Sequence, residues 1–134
     1  MNHKELSVVS ETLPTPEELL RTMSKRLRLH FESQDWGIVN ADSERLSEFI
    51  QFYESENLAP SQRFELGELI LASANERLRI GVAEGDPGMA TFARFILSHW
   101  KEQEVHIAYW SGLERKEEFP AAGLLKDLTR HRPN

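Results

Sequence analysis

The stretch 61–80 limits the possible folds more than any other part of the chain. It carries Phe64, Leu66, Leu69, Ile70, Leu71, Ala72, Ala74 and Leu78. Projected at about 100° per residue, these occupy most of a helical circumference and leave one polar strip through Glu65, Glu68 and Glu76. A helix apolar nearly all round is stable only when neighbours cover it on several sides, so the rest of the chain must wrap it. Gly81 is placed to end this helix.

The flanking segments have the one-sided patterning that such neighbours need. Thr15-Pro16-Glu17-Glu18 is a helix start: Thr15 can cap free N–H groups, Pro16 loses nothing at the first helical position, and Glu18 completes a capping box. Leu19, Leu20, Met23, Leu27 and Phe31 follow as an apolar stripe that ends before Asp35-Trp36-Gly37, read as a turn. After Asn40-Ala41-Asp42-Ser43, Leu46, Phe49, Ile50 and Tyr53 fall at i, i+3, i+4 and i+7, giving a second helix that stops near Asn57, ahead of Pro60. Beyond a loop at 84–88, Asp86-Pro87 opens a fourth helix with Met89, Phe92, Ala93, Ile96 and Trp100 on its buried face. Val105, Ile107 and Tyr109 alternate as a strand would, yet a lone strand has no partner for its backbone. The segment to Gly112 is therefore read as helix, with a short strand near 105–110 as the alternative. Phe119-Pro120 leads to a short last helix with Leu124, Leu125 and Leu128. The expected fold class is mainly α: a single compact bundle of five or six helices over 15–134, preceded by a loosely ordered tail at 1–14.

A domain of 134 residues buries roughly two-thirds of the surface its unfolded chain exposes, so it needs neither metal nor disulfide to fold. The absence of cysteine removes structural disulfides, thiolate metal sites and cysteine nucleophiles together, and fits a cytoplasmic location. The amino terminus lacks the apolar core of a signal peptide, and no run approaches the roughly 18 to 20 apolar residues of a membrane span. A formal charge of −6 argues against nucleic acid as a partner. The one basic cluster, Arg21, Lys25, Arg26 and Arg28, reads as the solvated face of a helix.

Catalytic and cofactor fingerprints are missing. If one helix runs unbroken through 99–106, His99, Glu102 and His106 share a face, but the spacing is neither His-Glu-x-x-His nor His-x-x-Glu-His, and no metal site is expected. No serine sits in a Gly-x-Ser-x-Gly elbow. Gly85 and Gly88 flank a proline and stand beside two acids, which would repel a phosphate, and no cofactor is expected. Trp100, Tyr109 and Trp110 could line a pocket, with His99 and His106 nearby, which gives the alternative of a small enzyme or ligand-binding protein.

The charge distribution is the more informative feature. Residues 32–68 hold nine acids against Arg45 and Arg63, a net of −7 that accounts for the whole negative excess of the chain. Glu44 and Glu48 form a like-charge i, i+4 pair, which costs roughly 0.2 to 0.5 kcal/mol, with no base evidently placed to relieve it. Phe52 projects off the buried stripe of its helix, so an aromatic ring is expected at the edge of the acid surface. An aromatic anchor within a charged rim is the composition of a protein interface, and the alternative is a solvated acidic face that only keeps the chain soluble. The sequence therefore points to a small acidic protein-binding module, with Asp42, Glu44, Glu48, Phe52, Glu54, Glu56, Glu65 and Glu68 as its partner-binding residues. Bacterial immunity proteins and antitoxins share this physique. The expected activity is stoichiometric inhibition, masking a basic partner protein such as a toxin or nuclease, with neither nucleic acid nor membrane bound.

Overall fold

The computed structural model describes residues 13–83, 85–115 and 117–132. It is mainly helical, with helices α1 (Pro16–Leu27), α2 (Trp36–Val39), α3 (Leu46–Ser55), α4 (Pro60–Arg79), α5 (Pro87–Ser98), α6 (Trp100–Ser111) and α7 (Ala121–Thr129), and a 3₁₀ turn, Ser43–Arg45, leading into α3. The described residues hold seven helices where the sequence pattern gives five or six, because a four-residue helix, α2, replaces the turn expected at Trp36. The segment 105–110 is corrected from possible strand to helix, since it lies wholly inside α6. Most of the expected tail at 1–14 lies outside the described residues.

The apolar patterning of α4 determines its position. Leu66, Leu69, Ile70, Leu71 and Ala74 are fully buried, and α4 touches every other helix of the fold. The exceptions are at its ends: Phe64 stays 45% exposed and Leu78 is half-buried. Polar groups on α4 also tie it to its neighbours. Gln62 accepts the Ala59 N–H at 2.9 Å and donates to the Leu19 carbonyl at 3.0 Å, fastening α1 to the start of α4. Asn75 donates to the Glu118 carbonyl at 2.8 Å and accepts the Ala121 N–H at 3.1 Å, which caps α7 from below. Buried polar groups are tolerated when satisfied in this way.

Helix α1 begins with the expected capping box, both Thr15 and Glu18 bonds measuring 3.1 Å. It stops at Leu27, a turn short of the Phe31 end given by the apolar stripe, because Arg28 adopts a left-handed conformation at φ 56°. Trp36 on α2 is fully buried and donates its indole N–H to Ser24 Oγ at 2.8 Å. Gly37 allows α2 to lie against α4: a Cβ there would come within 2.6 Å of the Leu69 backbone nitrogen.

A second close approach joins α4 to α6 at Gly67. The buried Gln103 donates to Tyr53 Oη at 3.0 Å and to the Arg63 carbonyl at 3.2 Å, while its Oε1, without a hydrogen-bond partner among the described residues, lies against Gly67. The sequence gives no sign of the break between α5 and α6. His99 leaves helical geometry at φ −117° and ψ 25°, with its ring 4.9 Å from Tyr53 and 5.0 Å from Phe95.

Candidate functional site

The acid block folds into several separate environments, and two of its nine acids, Glu48 and Glu56, pair with an arginine of the same chain. Arg45 makes a two-pronged contact with Glu48, at 2.9 Å and 2.6 Å, and also donates to the Leu27 carbonyl at 2.7 Å. This corrects the expectation that no base relieves the Glu44 and Glu48 pair. The Arg45 hydrogen bond and charge hold the Glu48 carboxyl below the usual carboxylate range. Glu44 itself is exposed and makes no ion pair with the described residues. Asp42 serves the backbone: its carboxylate accepts the Glu44 N–H at 3.0 Å, and its own N–H is held by Ser73 Oγ at 3.0 Å.

Phe52 and Glu56 are covered from α1. The Arg26 guanidinium lies 4.9 Å from the Phe52 ring centroid and pairs with Glu56 through a short contact. Phe52 is half-buried at the edge of its helix, as its projection off the apolar stripe predicts, with the Arg26 guanidinium of the same chain over its ring. Glu54 contacts His99 Nε2 at 3.0 Å, at the break between α5 and α6.

Glu65 and Glu68 share with Glu44 the lack of a counter-ion among the described residues, and they differ from it in being half-buried and adjacent to one another. Both lie on the first half of α4, and no cation among the described residues stands within ion-pair distance of either. Burial, and then the charge of Glu68, push the Glu65 carboxyl above its usual range. Glu65 opens into a groove of about 410 Å3 that is also lined by Glu17, Leu20, Phe31 and Phe64. Sequence reasoning missed Phe31, Phe64 and Glu17 as surface residues of this site. The two phenylalanines sit in apolar stripes that predict burial, and only the early end of α1 and the position of Phe64 near the start of α4 leave them open.

The candidate metal ligands disperse. His99 turns to Glu54 on α3, Glu102 pairs with Arg63 at 2.7 Å, and His106 bonds to the Phe64 carbonyl at 2.8 Å. The α5–α6 break removes the shared face on which their spacing depended, and among the described residues no three His, Asp or Glu side chains gather as ligands. Of the three aromatics proposed for a pocket, Tyr109 and Trp110 do line a groove of about 480 Å3 with Ile38, Ala72, Leu113 and Phe119. Trp100 is instead buried core. No described helix is long and apolar enough to cross a membrane.

No protein-family model, curated protein or solved structure matches this chain.

Proposed function

We propose that the protein is a stoichiometric protein-binding module of the immunity or antitoxin type, and that it inhibits a basic partner by covering it with the first half of α4. The observation that carries this reading is the juxtaposition of the uncompensated Glu65 and Glu68 with Phe64, an aromatic residue left 45% exposed. Like charges three apart on a helix destabilise it, and their repulsion falls when a cation arrives from outside. The ring is positioned before any partner binds: it lies 4.2 Å from the His106 ring, and His106 is bonded to the Phe64 carbonyl. A preorganised aromatic within a rim of one sign of charge gives an anchor together with long-range steering.

Affinity capture from the source cells at low and at high salt supplies the partner, and stopped-flow kinetics tests the reading. A Glu65→Lys, Glu68→Lys double variant is expected to slow association at low salt by about tenfold or more, and Phe64→Ala to speed dissociation. An unchanged association rate at low salt would sink this reading.

A second reading, a small-ligand binder or enzyme, is supported by the Tyr109 and Trp110 groove, where Trp110 Nε1 is buried with no hydrogen-bond partner among the described residues. A change in tryptophan fluorescence on screening small acceptor-bearing ligands, abolished in Tyr109→Ala, is the corresponding test.

A further inference from the structure

We propose that the groove between the start of α1, Phe31 and the first turns of α4 receives a single arginine or lysine side chain of the partner, its cationic head against Glu65 and Glu17 and its stem against Phe31 and Phe64. This rests on the binding-module reading and names the chemistry by which its interface would select a partner.

Charge complementarity identifies the occupant. The groove is lined by two carboxylates, Glu65 and a Glu17 that already faces Arg21 at 3.6 Å, and among the described residues no lysine, arginine or histidine lines it. Its one amide, Gln62, is already bonded to Ala59 and Leu19, so it does not compete for a ligand. Glu68 adds negative potential from one side, because it raises the Glu65 carboxyl through space. An anion would be repelled from such a site, and a neutral group would leave the repulsion between Glu65 and Glu68 in place.

The aromatic walls favour a long cationic side chain over a small hydrated ion. The chain itself supplies an example: the Arg21 guanidinium sits 3.8 Å from the Phe31 ring centroid and 3.6 Å from Glu17. Phe31 lines both this groove and the neighbouring depression that holds Arg21. A guanidinium over a phenyl ring with a carboxylate at its edge is thus an arrangement already made on one side of Phe31. The open groove offers the same components on the other wall, with Glu65 in place of a solvent-exposed acid. At about 410 Å3 the groove lies at the small end of ligand sites, a size suited to one side chain.

The test uses isotopically labelled full-length protein and four probes: the acetylated amides of arginine, lysine, citrulline and glutamate. Arginine and lysine amides are expected to shift resonances of Leu20, Phe31, Phe64 and Glu65 with a dissociation constant on the order of a millimolar. The Glu65 carboxyl should titrate at lower pH when arginine amide is bound, since a cation favours the ionised form. Glu65→Gln should weaken arginine binding by about three- to tenfold and leave the fold intact, and Phe64→Leu should weaken it similarly. Equal binding of citrulline and arginine amides would overturn the proposal, as would shifts confined to residues outside the groove or no shift at about 20 mM ligand. Groove resonances that follow protein concentration instead of ligand would identify a second copy as the occupant. A Lys4→Ala variant that alone alters them would identify the amino-terminal segment of the same chain. Either result refutes the assignment. Because no partner is needed here, loss of this site and loss of the binding-module reading are separable: the titration can fail while the Glu65→Lys, Glu68→Lys variant still loses its partner, or the reverse.

Discussion

Replacing Gly67 by alanine should be among the most damaging single-methyl changes in this protein. Helix propensity alone favours alanine by about 1 kcal/mol. Packing opposes it, because a Cβ built on Gly67 falls 1.8 Å from Gln103 Oε1, 2.4 Å from its Cδ and 2.7 Å from its Nε2. The amide would have to retreat until its oxygen lies at least 3.4 Å away, the start of ordinary contact. Gln103 is fully buried, and its nitrogen is held by Tyr53 Oη and the Arg63 carbonyl. Overpacking costs about 1 to 3 kcal/mol, and breaking buried bonds adds about 1 to 3 kcal/mol. Set against the propensity gain, the net loss is about 1 to 5 kcal/mol, which for a domain of this size lowers Tm by about 3 to 20 °C. Urea and thermal unfolding measure it directly. A control variant isolates the cause: in a Gln103→Ala background the obstructing amide is gone, so adding Gly67→Ala should be neutral or slightly stabilising. A Gly67→Ala protein as stable as the parent, or a double variant that loses as much as the two single changes together, would show that α4 and α6 do not meet at this point.

Three further outcomes follow from the same geometry. Truncating Leu66, Leu69 or Ile70 to alanine should cost about 2 to 5 kcal/mol each in chemical unfolding, since all three are fully buried on the central helix; losses below about half a kcal/mol at all three would displace α4 from the core. Glu44→Lys should leave stability unchanged, whereas Glu48→Lys should lower it by up to about 1 kcal/mol by releasing Arg45, which also holds the end of α1. Asp86 is bound by both prongs of Arg77, at 2.7 Å and 2.8 Å, and the Arg77 hydrogen bond holds its carboxyl below the ordinary 3.8. The folded state therefore prefers ionised Asp86, and the stabilisation is present above pH 3.8 and disappears as the pH falls through the lower folded value. An acid-unfolding profile of Asp86→Asn should lack that part of the slope.

The sequence makes legible those elements that local chemistry determines. Thr15, Pro16 and Glu18 mark the start of α1 because every partner in the capping box lies within one turn. The buried run of α4 is legible because it leaves so little of the helix polar. Legibility fails wherever the deciding contact is distant along the chain. Arg26 reaches Glu56 and Phe52 from 30 and 26 positions away, and no periodicity reports that a base of α1 will cover the proposed anchor. The α5–α6 break comes at His99 without glycine or proline, where the ring packs on Tyr53 and contacts the exposed Glu54 of α3. Spacing places Phe31 and Phe64 on apolar faces, but their exposure depends on where α1 stops and what covers the start of α4. The left-handed Arg28 that ends α1 is a residue type that gives no warning of it.

The division within the acid block narrows its functional meaning. Negative charge on a surface keeps a protein soluble whether or not it is paired, so a block of nine acids by itself discriminates little between a solvated face and an interface. What discriminates is countercharge taken together with burial, since Glu44 is unpaired as well but exposed. Glu48, Glu54 and Glu56 each face a base or a histidine from a separate turn or helix. Glu65 and Glu68 face none among the described residues, although burial and mutual repulsion already raise the Glu65 carboxyl, and the cost could be removed by a single basic residue on the neighbouring turn. The unrelieved pair also lies beside the exposed Phe64, not beside the covered Phe52. Charge left uncompensated at a partly desolvated position, next to a ring held in place by His106, is destabilising in the free protein and becomes favourable only when a cation arrives. On the proposed binding-module reading, the first half of α4, and not the acid block as a whole, is the surface to test for a partner.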